Sequence, residues 1–190
     1  MYMEAVGLHG TCVSNAVSIE QEGFVLSENG DSQYRGTGHY FWESYKNSEF
    51  ARKLAIEWWR HCCNKDKFRD KPDPSCAVIK ADLKAKIERY LDFETKEVKG
   101  KFIHFLESVE ETLNEESPSG ENLCQRYDLF IDMYEENNQC QLEIIRASIP
   151  LINSKLKRTA RFQLLGNPVA LIVKSSECIG EMSFEYPQNV

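Results

Sequence analysis

The chain has 190 residues, of which 42% are hydrophobic and 28% charged, with a formal net charge of −7. This length suits one domain with a sizeable core, or one domain with an insertion, and the composition excludes a largely disordered chain. The N-terminus has neither the basic start nor the apolar run of a signal peptide, and no stretch approaches the roughly 18 apolar residues of a membrane span, so we expect a soluble, cytoplasmic protein.

The predicted elements of the first half alternate between strands and helices. Glycine, proline and clusters of polar residues mark the ends of these elements. Apolar residues at every second position indicate a strand, and apolar residues three or four positions apart indicate a helix. In chain order the patterns predict a strand over 4–8, a helix over 14–22 stopped by Gly23, a loop over 27–37, a strand over 38–42, a helix capped by Asn47 or Ser48 and ending near 62, a loop over 64–75, a strand over 76–81 and an extended piece over 90–93.

The second half begins with helices and ends with strands. Amphipathic patterns predict helices over 98–113 and 122–136, with a proline- and glycine-containing break between them, then strands over 160–165, 169–174 and 183–186. Strands at both ends with helices between them predict an α+β fold. We expect a single domain over 1–190, in which a helical elaboration from about 97 to 158 is inserted into the middle of a small sheet.

The patterns of cysteines and of charges indicate which kinds of binding site the chain can contain. The seven cysteines have irregular spacings without a C-x-x-C pair, so they predict neither a zinc site nor a disulfide framework. Residues 107–143 carry eleven acidic side chains and one basic one, whereas residues 144–176 carry six basic side chains and no acidic one. These blocks are typical of solvated faces, but the basic block also suits an anionic ligand or nucleic acid and the acidic block a basic partner.

Two glycine-bearing segments carry the candidate chemistry: His9-Gly10-Thr11 and Gly36-Thr37-Gly38-His39-Tyr40-Phe41. An isolated His-Gly is usually a turn, and the G-x-G lacks the third glycine of a dinucleotide fingerprint. Together, however, an imidazole, backbone groups beside a glycine and an aromatic ring suit a nicotinamide riboside. Its carboxamide can bond the backbone, its ring can stack and its ribose hydroxyl can meet the histidine.

The order and spacing of these segments resemble the first half of the PARP-like (diphtheria-toxin-like) ADP-ribosyltransferases, particularly the small bacterial branch found among toxins and phage-defence proteins. The resemblance covers about the first 95 residues well and the last 30 loosely. It implies an ADP-ribosyltransferase-type split β-sheet core, NAD as the substrate, and a His-Tyr-Glu triad drawn from three strands. The segments that carry it are Leu8 to Thr11, Ile19 to Phe24 with Ser27, Gly36 to Phe41, and the helix containing Ala51, Ala55 and Trp58.

The resemblance assigns roles to residues of both segments. It implies that His9 holds the adenosine-side ribose, that the backbone of Gly10 clamps the carboxamide, and that Tyr40 stacks on nicotinamide. The implied cofactor-binding set is completed by Thr11, Gly38 and Arg35, the last placed to meet the NAD pyrophosphate.

The third triad position falls on Ala170, at the start of an apolar run followed by a polar pair and an isoleucine, as in the family. The family's glutamate stabilises the oxocarbenium character that grows as nicotinamide leaves, and losing such a group costs roughly 10² to 10³ in rate. Three interpretations are open. The chain is an inactivated variant of an enzyme with glutamate at 170, or another acid serves (Glu177, Glu181 or Glu143), or the domain naturally binds NAD or ADP-ribose without chemistry.

The function implied is that of a mono-ADP-ribosyltransferase toxin that cleaves NAD and transfers ADP-ribose to a macromolecule. An antitoxin or chaperone is the expected protein partner, and no membrane contact is expected. RNA or another nucleic acid is favoured over protein as acceptor, because the basic run from Lys155 to Arg161 is a candidate contact to target phosphates, although a solvated surface explains it equally well. The alternative is a non-catalytic NAD- or ADP-ribose-binding interaction module.

Overall fold

The computed structural model of the chain describes residues 1–25, 36–45, 49–113, 120–150 and 166–188. These residues form a seven-stranded mixed sheet and four α-helices, which confirms the α+β class. The strands are β1 (Tyr2–Cys12), β2 (His39–Ser44), β3 (Cys76–Lys86), β4 (Tyr90–Asp92), β5 (Ile144–Ser148), β6 (Val169–Val173) and β7 (Ile179–Glu185). The helices are α1 (Val13–Glu22), α2 (Glu49–Asn64), α3 (Lys96–Leu113) and α4 (Gly120–Asn138).

The strand order brings distant parts of the chain together. The order is β4-β5-β6-β2-β1-β3-β7, in which β4 and β5 are parallel and every other neighbouring pair is antiparallel. The three central strands are therefore β6, β2 and β1, of which β6 comes from the C-terminal part of the chain. This order places position 170 beside the strand that follows the Gly36 segment.

One face of the sheet, which we call the α1 face, carries a core shared by both halves. Ile144 of β5, Phe41 of β2 and Leu83 of β3 belong to one buried cluster on this face. Ala16 of α1 and Phe24 join the same cluster, so α1 and the residues after it cover the α1 face.

The opposite face of the sheet, which we call the α2 face, is covered by the other three helices. Leu54 and Ala55 of α2 pack with Leu8 and Trp42, whereas the aromatic side chains of α3 and α4 pack with the β5–β6 half. The spacing of apolar residues had predicted these buried sides, and the residues that form them on α3 and α4 are Val98, Phe102, Tyr127, Phe130 and Ile131. The helical middle of the chain is thus one layer of the domain.

The predicted helical elaboration over 97–158 is wrong in one respect, because it contains β5 (Ile144–Ser148), which lies in the sheet between β4 and β6. Ile144 and Ile145 are both fully buried on opposite faces, so the strand lacks the alternation that marks a half-exposed strand. Other strands are longer than predicted: β1 runs from Tyr2 to Cys12 and includes His9-Gly10-Thr11, β3 continues to Lys86 with its charged residues outward, and β7 begins at Ile179. The predicted strand over 160–165 lies outside the described residues.

Candidate functional site

The candidate site lies where the two central strands β1 and β2 part. Their ladder pairs Val6 with Ser44 and Leu8 with Trp42, and then stops. Both strands nevertheless continue in the same direction, β1 to Cys12 and β2 back to its first residue, His39. The end of β1 therefore stays paired with β3 alone, and a gap opens beside it.

A cavity of about 370 Å³ occupies this gap, and we call it the His9 cleft. Its volume falls within the range of small-molecule sites, about 300–1,000 Å³. It is lined by the end of β1, the exposed side of α1 with the residues after it, the start of β2, and the end of α2. The lining residues are His9, Gly10, Thr11, Asn15, Ser18, Ile19, Glu22, Gly23, Phe24, Val25, His39, Trp58, Cys62, Lys67 and Phe68.

His9 is held in one orientation by the strand beside it. Its Nδ1 donates to the backbone carbonyl oxygen of Tyr40 at 2.9 Å, since a carbonyl can only accept. The ring lies edge-on to Phe24, with 5.3 Å between centroids, and 5.6 Å from the ring of Phe41. With the proton on Nδ1, the Nε2 of the neutral imidazole is an acceptor, which suits a hydroxyl group of a ligand.

Gly10 lines the cleft, but helix α2 uses the space that its missing side chain leaves. A Cβ built on Gly10 would lie 1.8 Å from the backbone oxygen of Ala55. The sequence argument assigned that space to a flat ligand, whereas the structure assigns it to the close packing of α2 on β1. Thr11 beside it is buried, and its hydroxyl accepts a hydrogen bond from the amide of Asn15 at 3.2 Å.

Tyr40 contributes its backbone, and not its ring, to the neighbourhood of His9. Side chains alternate along a strand, and Phe41 shares the α1 face with His9, so Tyr40 points to the α2 face. There the ring packs with the clusters beneath α2 and α4, and the hydroxyl donates to the carbonyl of Gly36 at 2.6 Å. Gly38 is required by β6, because a Cβ there would lie 2.7 Å from a methyl group of Ile172.

Ala170 lies on β6 opposite Trp42 of β2, on the α2 face that also carries Tyr40. It is 1% exposed and belongs to a buried apolar cluster with Ile149. The residue before it, Val169, lines a second cavity of about 290 Å³. The three triad positions thus lie on three adjacent strands, but His9 points to one face of the sheet while Tyr40 and Ala170 point to the other.

The alternative acids named from the sequence lie elsewhere. Glu143 forms an ion pair with Arg89 at 2.7 Å; burial raises its pKa, but Arg89 and the backbone N–H of Lys86 outweigh that and hold the pKa below its usual range. Glu177 and Glu181 are exposed, in a short 3-10 turn and on the edge strand β7. None of the three lines the His9 cleft.

Sequence reasoning missed several groups that line the cleft. Among its described lining residues the carboxylate is Glu22, at the end of α1, and the lysine is Lys67, just after α2. Glu22 lies in the segment from Ile19 to Phe24 that carries the resemblance, but no role was predicted for it, and Lys67 belongs to no motif. Only the folded chain brings both next to His9. Arg35 and the basic run from Lys155 to Arg161 lie outside the described residues.

A half-buried ion-pair network stands at the other end of β2. The Arg146 guanidinium contacts Glu43 at 2.9 Å and Asp92 at 3.2 Å, and the Tyr45 hydroxyl at 2.8 Å. Burial lowers the pKa of Arg146, but the two carboxylates outweigh it and raise the pKa overall. The network joins β5 to β2 and β4 and is therefore a structural tie across the sheet.

Comparison with known proteins gives no family assignment, since no protein-family model and no curated protein sequence matches the chain.

Within the described parts of the chain, no helix is both long and apolar enough to cross a membrane. Over the same residues, no group of three or more histidine, cysteine, aspartate or glutamate side chains is arranged to hold a metal ion.

Proposed function

We propose that the protein is a mono-ADP-ribosyltransferase-type domain that binds NAD in the His9 cleft. In its active form it transfers ADP-ribose from NAD to a macromolecular acceptor. The observation that supports this most is the parting of β1 and β2 just after Leu8 and Trp42. The two segments that resemble the family enter the same gap from opposite sides, and they place His9 and His39 in one cavity of about 370 Å³.

The lining of the cleft suits the parts of NAD. The Nε2 of His9 can accept a hydrogen bond from a ribose hydroxyl, because Nδ1 is engaged by the Tyr40 carbonyl. Lys67 supplies positive charge for the pyrophosphate, and the rings of Phe24 and Trp58 offer surfaces against which a flat group can pack. We assign these roles to the donor-binding step.

The transfer step breaks the bond between the ribose C1′ and the nicotinamide nitrogen, and its electron pair leaves with nicotinamide. A nucleophilic oxygen or nitrogen of the acceptor then bonds to C1′ and loses its proton. A carboxylate beside the ribose stabilises the positive charge that develops on it. The chain has Ala170 where the family resemblance requires that carboxylate, so we expect this chain to bind NAD without transferring ADP-ribose.

The placement of Tyr40 and Ala170 sets a condition on this proposal. Both side chains lie on the α2 face, whereas His9 lies on the α1 face. For all three positions to meet one NAD molecule, its nicotinamide end must enter the gap between β1 and β2. A glutamate at 170 must also find room beside Phe50 and Leu54, where the second cavity lies.

A second candidate function is a binding module for NAD or ADP-ribose without chemistry. The burial of Ala170 in an apolar cluster favours it, because that cluster closes over the position where the catalytic carboxylate is required. In this candidate function the His9 cleft still binds NAD or ADP-ribose, and a protein partner recognises the ligand-bound form of the domain.

The decisive experiment compares Ala170→Glu with a matched control, Ala147→Glu. Ala147 pairs directly with Ala170 across β5 and β6 and is equally buried, at 1% exposure each. NAD binding is measured by calorimetry for the unchanged chain, both variants and His9→Ala. The variants are then incubated in cell extract with NAD labelled in its adenylate.

We expect the unchanged chain to bind NAD, His9→Ala to bind it at least tenfold more weakly, and label to enter macromolecules only with Ala170→Glu. Loss of the label on RNase or on protease treatment distinguishes an RNA acceptor, which we favour, from a protein acceptor. NAD binding without label transfer from any variant identifies the non-catalytic module. If the unchanged chain does not bind NAD, both candidate functions are wrong.

The biological setting follows from the same proposal. An active transferase of this kind would be toxic to its host, so we propose an antitoxin or chaperone as a protein partner. Host growth measured on expression of Ala170→Glu, alone and together with His9→Ala, tests this: growth arrest is expected with the single variant and should disappear with the double variant.

A further inference from the structure

The Gly36 turn, residues 36–38, is fastened to helix α4 by one carboxylate. The backbone N–H of Thr37 donates to Oδ1 of Asp128 at 2.8 Å, and the Thr37 hydroxyl lies 3.3 Å from Oδ2. Asp128 is half-buried. A carboxylate that accepts both a backbone N–H and a hydroxyl fixes the position of a turn more firmly than a neutral acceptor does.

The turn is pressed closely against the helix. Gly36 has a φ of +103°, which side-chain-bearing residues rarely adopt. A Cβ at Gly36 would also lie 2.9 Å from the δ-methyl group of Ile131 and 3.1 Å from Oδ1 of Asp128. From the sheet side, the hydroxyl of Tyr40 donates to the carbonyl of Gly36. The turn is therefore held between α4 and β2.

The position of the Gly36 turn affects the orientation of His9 through strand β2. The turn leads directly into β2, and the carbonyl of Tyr40 is the group that accepts the Nδ1–H of His9. Movement of the turn away from α4 would displace that carbonyl and release the imidazole from its single orientation. Asp128 and His9 do not touch, but these hydrogen bonds connect them.

We propose that Asp128 is a positioning residue for the His9 cleft, acting through Thr37 and Tyr40 on the orientation and proton position of the His9 imidazole. This gives one side chain of the acidic block over 107–143 a role at the site. The proposal rests on the proposed function where NAD is concerned, but the coupling of Asp128 to His9 is a property of the unliganded protein.

The test compares Asp128→Ala and Asp128→Asn with a control on the same helix. Asp132→Ala is the control, because Asp132 lies one turn further along α4 and is exposed. The readouts are the ¹⁵N and ¹H NMR signals of the His9 imidazole as a function of pH, thermal melting, and NAD affinity by calorimetry.

We expect the unchanged chain and Asp132→Ala to show one His9 tautomer, with the proton on Nδ1. In Asp128→Ala the two tautomers should exchange, and NAD should bind roughly tenfold more weakly, as for loss of a hydrogen bond to a charged group. Asp128→Asn keeps an oxygen acceptor for the Thr37 N–H and should restore most of the His9 signature and of the affinity. A purely structural role would instead lower the melting temperature of both Asp128 variants without changing the tautomer.

An unchanged His9 signature in folded Asp128→Ala overturns the inference, whatever the NAD affinity. If Asp128→Ala fails to fold, Asp128→Leu takes its place, since it also removes both acceptor oxygens but fills the space of the side chain; an unaltered His9 signature in that variant likewise overturns the inference. Absence of NAD binding by the unchanged chain overturns the proposed function, while the NMR comparison still decides whether Asp128 positions His9.

Discussion

Glutamate at position 170 and glutamate at position 147 should have different consequences if 170 is a catalytic position. Ala170 and Ala147 are paired across neighbouring strands, lie on the same face of the sheet and are 1% exposed. Ala147 lies beneath the aromatic cluster of α3 and α4, whereas Ala170 lies in the cluster beneath α2. Each substitution adds the same carboxylate at an equally buried position. A difference in stability between the two variants therefore reflects the side chains and cavities around each position.

The magnitude follows from the cost of burying a carboxylate. In an apolar interior the pKa of a glutamate rises from about 4.3 to as much as 8–9, and each unit corresponds to about 1.36 kcal/mol. At pH 7 the electrostatic loss of free energy of unfolding for Ala147→Glu is limited to roughly 4 kcal/mol. Once burial has raised the pKa of the new glutamate to about 7, the group is protonated at this pH, and a further rise of its pKa adds no further loss. At roughly 2–4 °C per kcal/mol for a chain of this size, the melting temperature should fall by roughly 8–16 °C.

Ala170→Glu should lose less, because the residue before it lines the cavity of about 290 Å³ that Phe50 and Leu54 also line. A carboxylate that reaches this cavity keeps part of its hydration, so its pKa rises less and the free energy of unfolding falls by about 2 kcal/mol or less.

The pH dependence has a fixed sign. In both variants the folded state raises the pKa of the new glutamate, so the folded protein binds the proton more tightly than the unfolded chain does. The electrostatic penalty is absent below about pH 4.3 and grows as the pH rises through the interval between the unfolded and folded pKa values. Thermal melts followed by circular dichroism at several pH values, with urea melts at the two extremes, measure it. Equal losses with equal pH dependence in the two variants would show that position 170 is ordinary core, and would refute its assignment as the catalytic position.

Three further predictions concern the scaffold of the site. Gly10→Ala should lower the free energy of unfolding by about 3 kcal/mol or more in a urea melt, because its Cβ would overlap the backbone oxygen of Ala55; a loss below 1 kcal/mol would contradict the close packing of α2 on β1. Arg146→Met should cost about 3 kcal/mol, since it leaves the carboxylate of Glu43, only 12% exposed, without its guanidinium, and a melting temperature within 2 °C of the unchanged chain would contradict this. Burial raises the pKa of the Cys76 thiol to about 11, so Cys76 should resist iodoacetamide at pH 8 in the folded protein and react fully in urea, as measured by peptide mass spectrometry.

The fold was predictable where one side of an element faces the core and the other faces solvent. Helices α3 and α4 have aromatic residues at helical spacing, and the structure confirms their buried sides. Strand β5 was missed because both of its faces are covered, so Ile144 and Ile145 follow each other without alternation. The predicted β3 was too short because the second half of the strand carries lysines that point to solvent. In the sequence alone, such a lysine-containing stretch looks like a polar loop.

The site was predictable only as a set of segments. Short-range patterns predicted His9, Gly10 and Tyr40 as site residues, and their roles stay predictions, while the strand order places their strands and that of Ala170 side by side. Patterns along one strand do not show which face of the sheet each side chain meets, because that depends on how the strand is placed against its neighbours. Glu22, Lys67 and Asp128 were not identified, since each reaches its place through contacts between elements far apart in the chain.

The sequence by itself determined the α+β class, most of the helices and strands, and the two glycine segments that carry the resemblance, because these depend on local spacing and on the conformations that glycine permits. The tertiary structure decided that β1 and β2 separate after Leu8, that His9 bonds the Tyr40 carbonyl, and that Ala170 is buried on the opposite face from His9. Those features depend on where neighbouring strands part and on the packing of α2 and α4 against the sheet. No single stretch of sequence contains that information.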